Sequence, residues 1–155
     1  MPSVIQINIS RGGMPKLPVE SARITRLGVA GDSSRNRKYH GGPNRAVCLF
    51  SIEQYDWLRS LGIDLANGSL GENFTTEGLD LQSISVGDRV RAGGCEIEIT
   101  KVRTPCSNLK QWHPKLQQII EGNSGWMAKV IEEGQVHPGD RLMVIRRATV
   151  LFPGS

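Results

Sequence analysis

Alternating apolar and polar residues predict strands in the first third of the chain. Val4 to Ile9 alternate with a period close to two, the pattern of a strand buried on one face. Val19 to Ala30 mixes branched apolar residues with polar ones and also predicts strand. Ala46 to Phe50 is a short, continuous apolar run, as in a strand buried on both faces. These segments predict a sheet that begins within the first fifty residues.

A helix is predicted directly after the apolar run. Ser51 can serve as its N-cap, and Gln54, three residues later, can complete a capping box. Apolar residues then follow at helical spacing: Ile52, Tyr55, Leu58 and Leu61. Gly62 is predicted to end the helix.

Glycines divide the next part of the chain into short segments. Between Leu65 and Gly94 these segments are too short for helices, which indicates tight turns and short strands. The pattern Gly-Asp-Arg-apolar occurs within residues 86–90 and again within residues 138–142, which predicts two similar turns that each open into a strand. Glu96 to Val102 alternates cleanly, and residues 140–151 return to a strand pattern.

Two short helices are predicted among these later strands. They cover Pro114 to Glu121 and Trp126 to Glu133, with Gly134 as the C-cap of the second. Strands still outnumber helices and do not alternate with them, so the sequence predicts a mainly β fold, a curved or closed β-barrel with a few short peripheral helices. A chain of 155 residues can bury one complete core, and no segment has the composition of a linker. A single domain over residues 1–155 is expected.

Composition excludes several classes of protein. Hydrophobic residues at 38% and charged residues at 22% fit a globular chain rather than a disordered one. No apolar run approaches the about 20 residues that span a bilayer, so no membrane association is expected. The amino terminus lacks the basic start and apolar run of a secretory signal, and the three cysteines are too few for a disulfide framework. A cytoplasmic location is therefore expected.

The net charge of +4 is concentrated in one glycine-containing segment. The segment carries five basic residues within eleven positions: Arg35, Arg37, Lys38, His40 and Arg45. Gly41 and Gly42 lie among them and allow backbone amides to approach an anion, so the segment predicts a phosphate receptor, although a solvated turn has the same charge pattern. Nucleic acid binding is not favoured, because aromatic residues amount to 5% and Tyr39 is the one aromatic residue in the segment.

Cys106 is the candidate functional thiol. It follows a proline at the end of a predicted strand, and a thiolate there would be stabilised by Arg103 and Lys101. Such a thiolate can ligate a soft metal or carry sulfur, whereas the alternative is an inert cysteine in a turn. Cys48 and Cys95 lie in strand patterns and are expected in the core. Structural zinc is not expected, because no Cys-x-x-Cys occurs and the histidines are scattered.

Together these segments resemble the MOSC domain, the module named after the carboxy-terminal part of molybdenum cofactor sulfurase. The segments that carry the resemblance are Gly31-Asp32, Lys38 to Val47, Gly71 to Phe74, Val86 to Asp88, Arg103 to Cys106, Ser124 to Trp126 and Gly139-Asp140. Their order and spacing make the match specific, and the stand-alone bacterial members, which include the hydroxylaminopurine-resistance proteins, are the most similar group. The resemblance implies a barrel similar to that of pyruvate kinase.

The resemblance also implies a site for the molybdenum cofactor, a pterin dithiolene that bears a phosphate. Cys106 matches the functional cysteine of the family and is the implied molybdenum ligand and catalytic residue. The implied cofactor-binding residues are Lys38, His40, Gly41, Gly42, Arg45, Asn73 and Arg103. Tyr39 stands where many relatives have a second histidine.

The sequence is compatible with three functions. The resemblance favours an oxidoreductase that reduces N-hydroxylated small molecules by oxygen-atom transfer, with electrons from a separate reductase, since the chain has no flavin, haem or iron–sulfur signature. The alternative is a carrier in which Cys106 holds a persulfide or passes cofactor to a biosynthesis protein, without reductase activity. Nucleic acid binding is the third, and it predicts an affinity that falls steeply with salt.

Overall fold

The computed structural model describes residues 1–10, 12, 14–32 and 46–145. The strands in this part of the chain are β1 Ser3–Ile9, β2 Leu17–Val19, β3 Ala22–Thr25, β4 Gly28–Val29, β5 Val47–Ser51, β6 Phe74–Glu77, β7 Arg89–Ala92, β8 Cys95–Val102, β9 Trp126–Glu132, β10 Gly134–Val136 and β11 Leu142–Ile145. The α-helices are α1 Ile52–Ser60 and α2 Leu116–Ile119, and 3-10 helices cover Leu81–Ser83 and Ser107–Gln111. In these described ranges, no helix is long and apolar enough to cross a membrane.

The main sheet has eight strands in the order β11-β7-β8-β9-β5-β6-β1-β2. All neighbours in it are antiparallel except β5 and β6, which are parallel. Ser3 of β1 forms a bridge with Arg141, directly before β11, and the Leu142 amide donates to the Pro2 carbonyl. Because β1 and β11 lie towards opposite ends of the order, these contacts show that the sheet is curved and brings the start of β1 beside the start of β11. The predicted mainly β fold is confirmed.

Two apolar clusters cover the two faces of β5. Val47 and Leu49 pack in the larger cluster, which lies inside the curve of the sheet. Phe50 packs in the second cluster with Tyr55 and Leu58 of α1. Since side chains alternate along a strand, Cys48 lies on the same face as Phe50. All five residues of β5 are buried, as the apolar run predicts.

Two local predictions are confirmed in detail. Helix α1 begins after Ser51, whose hydroxyl accepts from the Gln54 amide while the Gln54 side chain accepts from the Ser51 amide, so the capping box is complete. The two Gly-Asp-Arg turns are equivalent as well. The carboxylates of Asp88 and Asp140 each accept from the amide three residues earlier, and the strands that follow them, β7 and β11, pair with each other.

The helix predicted over Trp126 to Glu133 is wrong, since this segment forms β9. Met, Ala, Lys and Glu favour helix locally, but the segment lies between β8 and β5, and pairing on both sides overrides that preference. Gly134 begins β10 and does not cap a helix. Within the helix predicted over Pro114 to Glu121, the α-helix that forms is α2, Leu116–Ile119, which is shorter than the prediction.

The strand predicted over Val19 to Ala30 is divided into a hairpin of β3 and β4. Gly28 has a φ of +127°, and a Cβ atom there would lie 2.9 Å from the Ala46 carbonyl oxygen. Only glycine therefore lets β4 approach the start of the apolar run so closely. At the other end of the chain, β11 occupies part of the predicted strand over residues 140–151, and residues 146–151 lie outside the described residues.

Candidate functional site

Asn73 is the centre of a buried hydrogen-bond network directly before β6. Its Nδ2 donates to Asp32 Oδ2 (2.9 Å) and to the Asn8 carbonyl oxygen (3.3 Å). Its Oδ1 accepts from the Cys48 amide at 3.0 Å, and its backbone bonds to Cys48 and Asn8 as well. The side-chain amide thus uses both of its ends on protein groups, and Asn73 ties β1, β5 and Asp32 together.

The network joins described residues on both sides of the basic segment. Asp32 directly precedes residues 33–45, and Cys48 follows them closely. Five of the predicted cofactor-binding residues fall in this range and lie outside the described residues: Lys38, His40, Gly41, Gly42 and Arg45. Their roles stay predictions.

Lys16 belongs to the same network, although sequence reasoning did not select it. Its Nζ lies 2.6 Å from Asp32 Oδ2, and both side chains are nearly buried. Asp32 Oδ1 also accepts from the Ser10 amide at 2.8 Å. The partner of Lys16 lies sixteen residues further on, so no local pattern indicated this ion pair.

Glu72 is a fully buried carboxylate next to Asn73. It accepts hydrogen bonds from the Tyr55 hydroxyl (2.7 Å), the Thr75 hydroxyl (2.7 Å) and the Gly68 amide (3.0 Å). Each hydroxyl also accepts a bond from another group, so its proton is available to Glu72. Burial raises the pKa of Glu72, and these three hydrogen bonds oppose the rise.

Glu72→Gln is expected to remove a pH dependence of stability. Because the pKa of Glu72 is raised in the folded protein, its contribution is fully present below the ordinary value of 4.5 and is lost as the pH rises through the folded pKa. As the pH rises from 4.5 through the raised pKa of Glu72, the free energy of unfolding of the wild type should therefore fall relative to that of Glu72→Gln. Urea unfolding at a series of pH values measures the difference. Glu121→Gln, which changes an exposed carboxylate, is the control, and equal slopes for the wild type and Glu72→Gln would contradict the prediction.

Arg103, directly after β8, is a buried cation without a carboxylate partner among the described residues. It is 4% exposed, its Nη1 has no hydrogen-bond partner in this part of the chain, and its Nη2 contacts Met14 Sδ at 3.9 Å. Its backbone is held by Ser124 and Gly125, with the Arg103 amide donating to the Gly125 carbonyl at 2.9 Å. A buried guanidinium with an unused donor is costly, which indicates a place for an anion.

Gly71 leaves space beside this guanidinium. Its φ is +85°, and a Cβ atom there would lie 3.0 Å from Met14 Cγ and 3.3 Å from Arg103 Nη2. Any larger residue would therefore crowd the side chain of Arg103. This close approach explains the glycine of the Gly71 to Phe74 segment.

The two buried cysteines occupy the core, as the sequence predicts. Burial raises the pKa of Cys95 to about 12. Burial also raises the pKa of Cys48, while the positive charges of Arg103 and Lys16 act in the opposite direction. Both cations therefore act on the same buried thiol.

Cys106 is half-buried, in contrast to the other two cysteines. It has an extended backbone and directly precedes the 3-10 helix Ser107–Gln111, which its side chain does not cap. The turn is held in place because the Pro105 carbonyl accepts from Gln117 Nε2 at 3.2 Å. The thiol thus lies on an anchored turn, three residues beyond the buried guanidinium of Arg103.

The fold and this site define a mainly β protein with a charged, buried network at the start of β5 and β6 and a half-buried thiol on the turn after β8. The model of one protein family, the MOSC domain, matches residues 36–143. The chain therefore belongs to the MOSC domain family, whose domains are associated with binding of the molybdenum cofactor.

Three known proteins illustrate the similarity. The chain is 34% identical to YflK of Bacillus subtilis over 143 residues, which cover 87% of this chain and 64% of YflK. It is 30% identical to a protein of Gibberella moniliformis named "Reductase", over 77% of this chain and 23% of that protein. The crystal structure of YiiM from Geobacillus stearothermophilus matches with a TM-score of 0.78 at 26% identity, over 95% of this chain and 76% of YiiM. The chain thus spans less than two thirds of the length of both curated relatives.

Proposed function

We propose that this protein binds the molybdenum cofactor and reduces N-hydroxylated small molecules by oxygen-atom transfer, with Cys106 as the protein ligand of molybdenum. The observation that carries the proposal is the buried guanidinium of Arg103, whose Nη1 has no partner among the described residues. Guanidinium groups bind phosphate strongly, and thiolates are soft ligands that suit molybdenum. The two residues thus match the two functional ends of the cofactor.

The surroundings of Arg103 also fit an anionic group. Gly71 leaves space beside the guanidinium, and Met14 Sδ is the one side-chain hydrogen-bond partner that the described residues provide to it. Asn73 has a different role in this proposal, because its amide is already bonded to Asp32 and Cys48. We assign Asn73 the positioning of the site rather than direct contact with the cofactor.

The residues of the basic segment complete the proposed site. Lys38, His40 and Arg45 would supply positive charge to the phosphate and pterin. Gly41 and Gly42 would allow backbone amides to approach the same groups. This part of the proposal is supported by the family assignment of residues 36–143, which include the segment.

The proposed reaction is balanced by two electrons and two protons. An N-hydroxylated amine, two electrons and two protons give the amine and one water molecule. When bound, the cofactor supplies the two-electron oxygen-atom transfer chemistry. Cys106 would hold the metal as a thiolate, after loss of its thiol proton, and Arg103 would hold the anionic end of the cofactor. We propose a separate reductase as electron donor, and the name of the fungal relative supports a redox function.

Cys106→Ser tests the proposal directly. The wild type, produced in a host that makes the cofactor, should contain about one molybdenum and one pterin per chain and should reduce an N-hydroxylated amine when given a chemical electron donor. We expect Cys106→Ser to lose at least about tenfold in molybdenum content, since serine lacks the soft sulfur donor. Elemental analysis and an amine assay measure both properties.

Cys95→Ala is the matched control, because it removes a buried thiol at the end of β8 opposite to Arg103. It should keep its molybdenum and its activity. Folded wild-type protein without molybdenum, or Cys106→Ser with undiminished molybdenum and activity, would contradict the proposal. Molybdenum without any turnover would contradict the reductase and fit a carrier instead.

A further inference from the structure

A groove on another part of the surface has the features of a small-molecule site. It has a volume of about 890 Å³, within the range of about 300 to 1,000 Å³ that is usual for ligand sites. Three segments line most of it: the start of α1, residues 78–84 and residues 122–126. Of the described residues of the proposed cofactor site, Asn73, Arg103 and Cys106, none lines the groove.

The walls of the groove are fixed to one another. Three hydrogen bonds join the three segments in pairs: Glu53 Oε1 accepts from the Gly78 amide (3.1 Å), Gln54 Nε2 donates to the Asn123 carbonyl (2.6 Å) and Trp126 Nε1 donates to the Leu81 carbonyl (2.8 Å). Each segment is thereby held by both of the others. The groove is therefore preformed, which lowers the entropic cost of binding a ligand.

The charge of the groove is opposite to the net charge of the chain. Its charged lining residues are Glu53 and Asp80, and no lysine, arginine or histidine of the described part of the chain lines it. One oxygen of each carboxylate accepts from a backbone amide, Glu53 Oε1 from Gly78 and Asp80 Oδ1 from Gln82. The other oxygen of each has no hydrogen-bond or ion-pair partner within the described residues, so two fixed acceptors remain for a cationic ligand.

Two indole rings complete the lining. Trp57 is 37% exposed and Trp126 is half-buried. The N–H of Trp126 is already used on Leu81, so its ring offers an apolar and π surface to a ligand. Indole faces attract cations, and a planar guanidinium can stack on an aromatic ring while it bonds to a carboxylate.

We propose that this groove binds a small guanidinium compound. The cation bonds to the unused oxygens of Glu53 and Asp80, and its flat group and attached apolar chain contact Trp57 and Trp126. The proposal uses no residue of the cofactor site, so it stands or falls independently of the proposed function.

The test compares butylguanidinium with butylurea, which has a similar shape and no charge. Isothermal titration calorimetry should detect binding of butylguanidinium, with an affinity at least about tenfold above that of butylurea. Tryptophan fluorescence should change on addition of butylguanidinium. The affinity should fall with added salt, because charges at the surface are screened.

Two variants remove the charges and keep the hydrogen bonds of the groove. Glu53→Gln and Asp80→Asn retain an oxygen that can accept from Gly78 and Gln82, so the walls should stay in place. Each should weaken butylguanidinium binding by about fivefold to tenfold. Glu121→Gln, an exposed carboxylate that does not line the groove, should bind like the wild type.

Three results would overturn the proposal. Butylurea binding as tightly as butylguanidinium would show that charge is not recognised. Equal affinities for Glu53→Gln, Asp80→Asn and Glu121→Gln would place the ligand elsewhere. A short peptide with one arginine that binds more than about tenfold tighter than butylguanidinium would make the groove a docking surface for a protein.

Discussion

Arg103→Met is expected to abolish molybdenum binding and to make the folded protein more stable. The variant removes a buried guanidinium whose Nη1 has no partner among the described residues, and it places a shorter, flexible apolar chain beside Met14. A buried donor without a partner costs about 1–3 kcal/mol, so the free energy of unfolding should rise by about that amount. The molybdenum content should fall by at least about tenfold, since the variant lacks the cation that we propose binds the cofactor.

Urea unfolding and elemental analysis of the same preparations measure the two effects. Arg141→Met is the control, because Arg141 is exposed and its replacement should alter neither quantity. Normal molybdenum content in Arg103→Met would show that the guanidinium does not bind the cofactor. A parallel loss of stability and molybdenum would show that Arg103 serves the fold instead.

Asn73→Asp is expected to destabilise the protein by about 3 kcal/mol or more at neutral pH. The substitution preserves the shape of the side chain but places a carboxylate where Nδ2 now donates to Asp32 Oδ2 at 2.9 Å. Two carboxylates so close cannot both stay ionised, so the pKa of the pair rises in the folded state. Part of the loss should therefore be recovered as the pH falls through the raised value, since the folded protein then binds the proton more tightly than the unfolded chain.

Thermal and urea unfolding between neutral and acidic pH measure this behaviour. Asn108→Asp is the matched control, since Asn108 is exposed and the same change of charge there should cost little. Equal stabilities of the two variants at neutral pH would contradict the network. A loss that does not depend on pH would show that the cause is not the repulsion between the two carboxylates.

The sequence predicted correctly those elements that depend on interactions between residues close together in the chain. The apolar run of β5 and the capping box of α1 are properties of neighbouring residues, and the structure confirms them. The strand predicted at β1 is also confirmed, but its alternation is broken by a register shift between Val4 and Gln6, so Val4 and Ile7 are buried while Ile5 and Ile9 are half-buried. The error at β9 has the opposite cause. Its residues favour helix, and its pairing with β8 and β5 comes from distant parts of the chain.

The same distinction applies to the candidate site. Motifs selected Arg103, Asn73 and Cys106 one at a time, but no motif showed that Asn73 uses its amide on Asp32, or that Arg103 lacks a carboxylate partner in the described part of the chain.

Partners distant in sequence also explain what was missed. Tyr55 was predicted only as an apolar position of α1, yet its hydroxyl bonds to Glu72, seventeen residues away. The role of Lys16 was not predicted because its ion-pair partner, Asp32, lies in another segment of the chain. Such pairs emerge only when the strands are brought together.

Alkylation of the three cysteines tests most directly whether the Cys106 thiol holds the bound cofactor. In cofactor-free protein, iodoacetamide followed by peptide mass analysis should label half-buried Cys106, while buried Cys48 and Cys95 serve as internal controls and stay unmodified under native conditions. In cofactor-loaded protein, labelling of Cys106 should be suppressed, because in the proposed complex its sulfur would be bonded to the metal. Labelling of Cys106 at the same rate in both forms would contradict its role as the molybdenum ligand.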